Sequence, residues 1–118
     1  MTYYAALDVS LRSVAICIVD EMGTVCLERM VASEVSDIAV CLRGFGEVVA
    51  VVGFEAGTLS QPLAHGLGAE GYQVVCLETR QVKAALSATR NKTDRTDARG
   101  IAQILRTGWY AGVHVKPS

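Results

Sequence analysis

The stretch Arg90-Asn-Lys-Thr-Asp94-Arg-Thr-Asp97-Ala-Arg99 packs two carboxylates and four cations into ten residues. Behind it, Ala98, Ile101, Ala102 and Leu105 recur at i, i+3, i+4 and i+7, the stripe of an amphipathic helix. Asp94 stands one turn before Ala98 and Asp97 one turn before Ile101, so both acids fall at the buried edge of that helix near its start. Two chemistries are open to them. Acids three residues apart in a first turn resemble a capping box and complement the helix dipole. Carboxylates turned toward a packing partner can instead hold a divalent cation through oxygen. The segment alone does not separate the two.

The elements before it supply two further acids. Residues 3–9 form an apolar run that carries Asp8 near its end, and residues 14–19 form another. The serine-flanked residues 10–13 suit a hairpin loop between them. A third strand is expected over 24–31, after the turn Asp20-Glu-Met-Gly. Residues 33–45 read as a helix: Ser33 or Ser36 can cap it, Val35, Ile38, Ala39 and Leu42 make its stripe, and Gly44 or Gly46 stops it. Residues 48–54 are an almost unbroken β-branched run, the pattern of a strand buried on both faces of a parallel sheet, and the run leads into Glu55. A helix over 59–67 closed by Gly66 and Gly68, a strand over 72–77 and a helix over 79–89 follow.

Three strands in a meander, then helix, strand, helix, strand, helix, is the core order of the ribonuclease H-like α/β fold: a mixed five-stranded sheet with helices on its faces. In that fold the first and fourth strands lie side by side and parallel. Asp8 and Glu55 would then stand at the carboxyl ends of adjacent strands, where open α/β sheets place their sites. The helix after Asp94 would pack across the same edge. Four carboxylates in one small space raise one another's pKa and call for cations to neutralise them.

Composition bounds the rest. At 118 residues, 51% hydrophobic and 19% charged, the chain reads as one soluble domain able to bury a core without staples. No apolar run reaches membrane length and no basic leader opens the chain, so a cytoplasmic place is expected. Cys17, Cys26, Cys41 and Cys76 lack metal-type spacing and read as reduced core residues. The net charge of −1 divides unevenly: residues 1–78 sum to −7 and residues 79–118 to +6. A cationic arm around two anions suits a polyanion approaching a metal site, and equally a solvated helical face.

The segments Ala6-Leu-Asp-Val-Ser, Gly53-Phe-Glu-Ala-Gly and Asn91-Lys-Thr-Asp-Arg-Thr-Asp-Ala-Arg-Gly-Ile-Ala closely resemble the DEDD transposases of the bacterial IS-one-ten insertion sequences and the related Piv invertase. The resemblance covers essentially the whole chain, and Lys-Thr-Asp-x-x-Asp-Ala is its most specific part. It implies the fold of the RuvC resolvase over residues 1–118, with Asp8, Glu55, Asp94 and Asp97 as catalytic and metal-binding acids. Magnesium or manganese is the expected cofactor; from strand-end geometry Asp8 would bridge two ions about 4 Å apart, Glu55 and Asp94 would each favour one, and Asp97 would complete the site.

The implied function is DNA strand cleavage and exchange in transposition and recombination. DNA and a guide (bridge) RNA are the implied partners, and the full-length protein is expected to be a homo-oligomer. Arg80, Lys83, Arg90, Lys92, Arg95, Arg99 and Arg106 would meet phosphates, and sequence choice would pass to RNA pairing. Family members continue into a second domain with a serine implicated in strand exchange. That domain is expected to lie outside this chain, and Ser10, Ser13, Ser33, Ser36, Ser60 and Ser87 keep ordinary capping, turn or surface readings.

Two other classes compete with this reading. One is a non-catalytic module that binds nucleic acid or dimerises with its acids empty, and the other is a stand-alone junction resolvase. A sugar-kinase-like ATPase would want glycine-rich phosphate loops, and the chain has none. His65 reads as surface or packing, and Trp109 and Tyr110 as a base-stacking pair or a helix-end contact.

Overall fold

Residues 1–57, 60–88 and 98–108 are described in the computed structural model. The elements run β1 (Tyr3–Val9), β2 (Ser13–Asp20), β3 (Val25–Ala32), α1 (Val35–Gly44), β4 (Val49–Glu55), α2 (Ser60–Ala69), β5 (Val74–Leu77), α3 (Thr79–Ala88) and α4 (Ala98–Thr107). The five strands order as β3-β2-β1-β4-β5 in one sheet. β1, β2 and β3 pair antiparallel, while β1–β4 and β4–β5 pair parallel. The expected adjacency of the first and fourth strands is therefore present.

Each face of the sheet buries its own core. On one face Ala5, Leu7, Ile16, Ile18, Val52 and Phe54 pack with Ile38 and Leu42 of α1 and Leu63 and Leu67 of α2. On the other, Ala6, Ala15, Cys17, Val19 and Leu77 pack with Val82 of α3 and the α4 stripe Ala98, Ile101, Ala102 and Leu105. All four stripe residues are buried, and Ile104 widens the stripe. Burying each large aliphatic side chain is worth about 1.5–3 kcal/mol, so the stripe is what docks α4.

The register carries an irregularity that decides the site. Tyr3 pairs with Val49 but Tyr4 pairs with Val51, so β4 holds one extra residue, the exposed Ala50. Side chains alternate along a strand, and an extra residue moves all that follow to the opposite face. Without it Val49, Val51, Gly53 and Glu55 would share a face. With it, Val49 joins the α1–α2 side while Val51 and Gly53 turn to α4.

Gly53 is needed where it stands. A Cβ there would lie 2.8 Å from Cδ1 and 3.0 Å from Cγ of Leu105, and nearer still to Cδ2. The glycine thus admits α4 to the sheet. Gly66 and Gly68 differ from expectation. α2 runs through both, and the chain turns at Gly71 with φ +98°. Gly66 instead makes room for Val35, whose Cγ2 would meet a Cβ at 2.6 Å.

Neither expected serine caps α1. Its N-cap is Glu34, without a side-chain cap bond, because Ser33 is engaged elsewhere. Cys17, Cys41 and Cys76 are buried as expected, and burial pushes the Cys41 thiol pKa up against a smaller opposing effect of Arg29. Cys26 is exposed, since the β2–β3 register shifts past it at the sheet edge.

The Gly53 contact sets a measurable expectation. Gly53→Ala should lower unfolding free energy by about 1–3 kcal/mol in denaturant titrations. Adding Leu105→Ala should cost less than the sum of the two single changes, because the clash is gone. Strict additivity would show that α4 does not press on β4 at this point.

Candidate functional site

Ala6 and Gly53 both face α4, and Asp8 and Glu55 each come two residues later along their strands. Leu7 pairs with Phe54, so the next step in register sets Asp8 beside Glu55 at the carboxyl edge. Both acids are half-buried and line one cleft of about 300 Å³. Its floor is apolar, with Leu7, Phe54, Leu63 and Ile101, and its polar wall includes Ser10 and Ser60. Ile101 places the first half of α4 at the cleft, while Leu105 lies farther back over Gly53. The helix therefore starts at the cleft and runs away from it.

The backbone on either side of the acids is tied down. After β4, Ala56 N–H donates to Leu77 O at 2.7 Å, and Ala56 O accepts from Thr79 Oγ at 3.2 Å. Gly57 N–H donates to Ser60 Oγ at 2.5 Å. After β1, Ser10 N–H donates to Ser13 O at 2.9 Å, closing the expected hairpin loop. Ser33 Oγ donates to Ser10 O at 2.6 Å and reaches Ser13 O at 3.3 Å, while Ser33 N–H donates to Arg12 O at 3.2 Å. Ser33 was a capping candidate in the sequence, but it clamps this loop across the start of α1.

The donor set at the cleft is all oxygen: two carboxylates and two hydroxyls, with no histidine or cysteine among the lining residues. Such a set fits a hard divalent cation and not a thiolate-seeking one. Asp94 and Asp97 lie outside the described residues, as do Arg90, Lys92, Arg95, Trp109 and Tyr110. Accordingly, among the described residues no group of three or more potential metal ligands comes together.

The cations divide. Arg80 and Lys83 are exposed on α3. Arg99, expected at phosphate, forms a two-pronged ion pair with Glu28 of β3: Nε to Oε2 at 2.5 Å and Nη2 to Oε1 at 2.6 Å. Arg106 donates from Nε to Gln103 Oε1 at 2.8 Å, and Gln103 Nε2 donates to Gly23 O at 3.0 Å. That chain ties the far end of α4 to the β2–β3 turn. His65 is exposed on α2, away from the cleft lining. Ser60 and the loop residues Ser10 and Leu11 had no signal in the sequence that assigned them to a site. Only the meeting of two loops at one sheet edge brings them there.

With this geometry in hand, the chain can be set beside known proteins. The family described as Transposase, the DEDD transposases of IS110 (IS-one-ten) insertion sequences, matches residues 5–117. Among solved structures, T. thermophilus RuvC in complex with Holliday junction substrate is similar, with a TM-score of 0.63. That likeness spans 96% of this chain and 100% of the other, at 15% identity, and it shows the fold: ribonuclease H-like, of the RuvC kind. No curated protein matches the chain.

The Glu28–Arg99 pair gives a pH test. Its hydrogen bond from Arg99 holds the Glu28 carboxyl below its ordinary value of 4.5, against a smaller effect of burial. A lowered folded-state value means stability that is present above the ordinary value and lost as pH falls through the lowered one. Both side chains are more than a third exposed, so Glu28→Gln should cost no more than about 1 kcal/mol at neutral pH. In unfolding titrations the gap between wild type and variant should close as pH drops below the ordinary carboxylate range. A gap that persists in acid would assign the loss to packing.

Proposed function

The chain belongs to the IS110 family of DEDD transposases, and from that premise we propose that its cleft is a divalent-metal site for phosphodiester cleavage and exchange on DNA. The observation that carries this is the pairing of Asp8 and Glu55 side by side on one face of the sheet, lining one cleft. Under this reading Asp8, Glu55, Asp94 and Asp97 hold magnesium or manganese. When bound, such cations supply Lewis acidity at the scissile phosphate and neutralise charge on attacking and leaving oxygens.

The protein's own residues do the positioning. Asp8 and Glu55 are set by strand register, so their spacing is fixed before any ligand arrives. The apolar floor of Leu7, Phe54, Leu63 and Ile101 limits water around the carboxylates and strengthens their pull on a cation. Ser10 and Ser60 offer hydroxyls to phosphate oxygens. Arg80 and Lys83, together with Arg90, Lys92 and Arg95, attract the nucleic-acid backbone without reading its sequence. Arg99 and Arg106 bind phosphate only after giving up Glu28 and Gln103, so they contribute less than Arg80 and Lys83.

DNA as partner is supported by the family and by the junction substrate in the RuvC complex. Guide RNA, a homo-oligomer and a serine-carrying second domain complete the reading. They rest on the resemblance of the chain to its family.

Manganese titration tests the site. Wild type should bind saturably and gain about 2.7 kcal/mol of stability at a hundredfold excess over Kd. Asp8→Asn and Glu55→Gln should each abolish that gain while leaving the metal-free melting temperature nearly unchanged. If both variants bind as wild type does, the carboxylates are structural and the proposal fails.

A further inference from the structure

The loop between β1 and β2 forms one wall of the cleft, and it has properties that a mere connection does not need. Leu11, at its tip, is 84% exposed and yet lines the same cleft as Asp8 and Glu55. A single exposed leucine is ordinary on a protein surface. Here three neighbouring carbonyls, those of Ser10, Arg12 and Ser13, all accept hydrogen bonds from Ser33. The clamp ties down the backbone on both sides of Leu11.

Arg12 follows at once, also exposed. Arg43 pairs with Glu70 and Arg99 with Glu28, whereas Arg12 has no ion-pair partner among the described residues. An apolar tip, an adjacent cation and a carboxylate cleft stand where one ligand can meet all three. That ligand needs an apolar edge and an anionic edge, and it must continue into a metal site. A DNA strand has all three properties: base faces, backbone phosphates, and a phosphate to be held by cations.

We propose that this loop is a DNA-distorting wedge, in which Leu11 enters between two base pairs beside the scissile phosphate and Arg12 grips the flanking phosphate. Aliphatic side chains that insert at a base step unstack it and kink the duplex. The clamp from Ser33 makes the wedge effective, because the loop is ordered before binding and little freedom is lost on contact. The unstacking widens the approach of the backbone to Asp8 and Glu55. This assignment rests on the metal-site reading above and adds a residue pair to it.

The test uses the 118-residue chain with branched and linear DNA carrying 2-aminopurine at successive positions, with calcium replacing magnesium so that the strands stay intact. Wild type should brighten the probe at one step, reporting loss of stacking. Leu11→Ser should bind while leaving the probe as dim as in free DNA, and Leu11→Met should restore the signal. Arg12→Gln should weaken binding and reduce the salt dependence of affinity by about one phosphate contact. Both positions are exposed, so melting temperatures should not move. Binding by wild type with unchanged brightening in Leu11→Ser would overturn the wedge and leave the metal site standing. No DNA binding by wild type, with manganese binding intact, would overturn the wedge and the DNA reading together.

Discussion

The approach of α4 to the cleft depends on Leu105 reaching the bare Cα of Gly53. That contact lets α4 lie close on β1, β2 and β4, with alanines at 6, 98 and 102 buried between helix and sheet. Because the helix starts at the cleft, its depth on the sheet sets how near its first turn comes to the strand ends. A larger residue at 53 would lift the helix where it crosses β4. The apolar stripe provides the energy of docking, at about 1.5–3 kcal/mol per large side chain, and the Glu28–Arg99 pair adds much less because water competes for it. The pair and the Gln103–Gly23 bond fix the angle of a helix that is already held.

Much of this was legible in the sequence. The order of elements, the side-by-side strands and the α4 stripe all follow from periodicity, since period 2 and period 3.6 leave different marks. Asp8 and Glu55 were legible as strand-end acids. The face each would take was not. Residues 48–54 are apolar almost throughout, and such a run gives no sign of which side chains point which way. The partner of Arg99 was equally hidden, because Glu28 is 71 residues away and only the pairing of β3 beside β2, which α4 covers, brings the two together. Ser33 shows a third limit. Its type and place favour a cap, but the carbonyls of the adjoining β1–β2 loop compete for the same hydroxyl and win.

Charge in sequence and charge on the surface prove to be different quantities. The last forty residues carry a net +6, which suggests a broad cationic face. Two of those cations, Arg99 and Arg106, are engaged with the fold, one by a carboxylate and one by an amide. Such residues serve the position of α4 first. In the opposite sense Arg12 comes from the acidic part of the chain and stands exposed beside the cleft-lining Leu11. The distribution that a polyanion meets is therefore more local than composition implies.

The extra residue in β4 makes the site a matter of counting. Ala50 is exposed and is not among the residues of either core. Its side chain can change with little effect, and its presence cannot. Loss of one residue at that point would preserve the apolar composition of the strand and the identity of Glu55, yet reverse the faces of the two halves of β4 relative to each other; where the second half is the one that turns, the carboxylate leaves the face of Asp8. A chain can thus keep every acid of its motif and lose the site by parity alone.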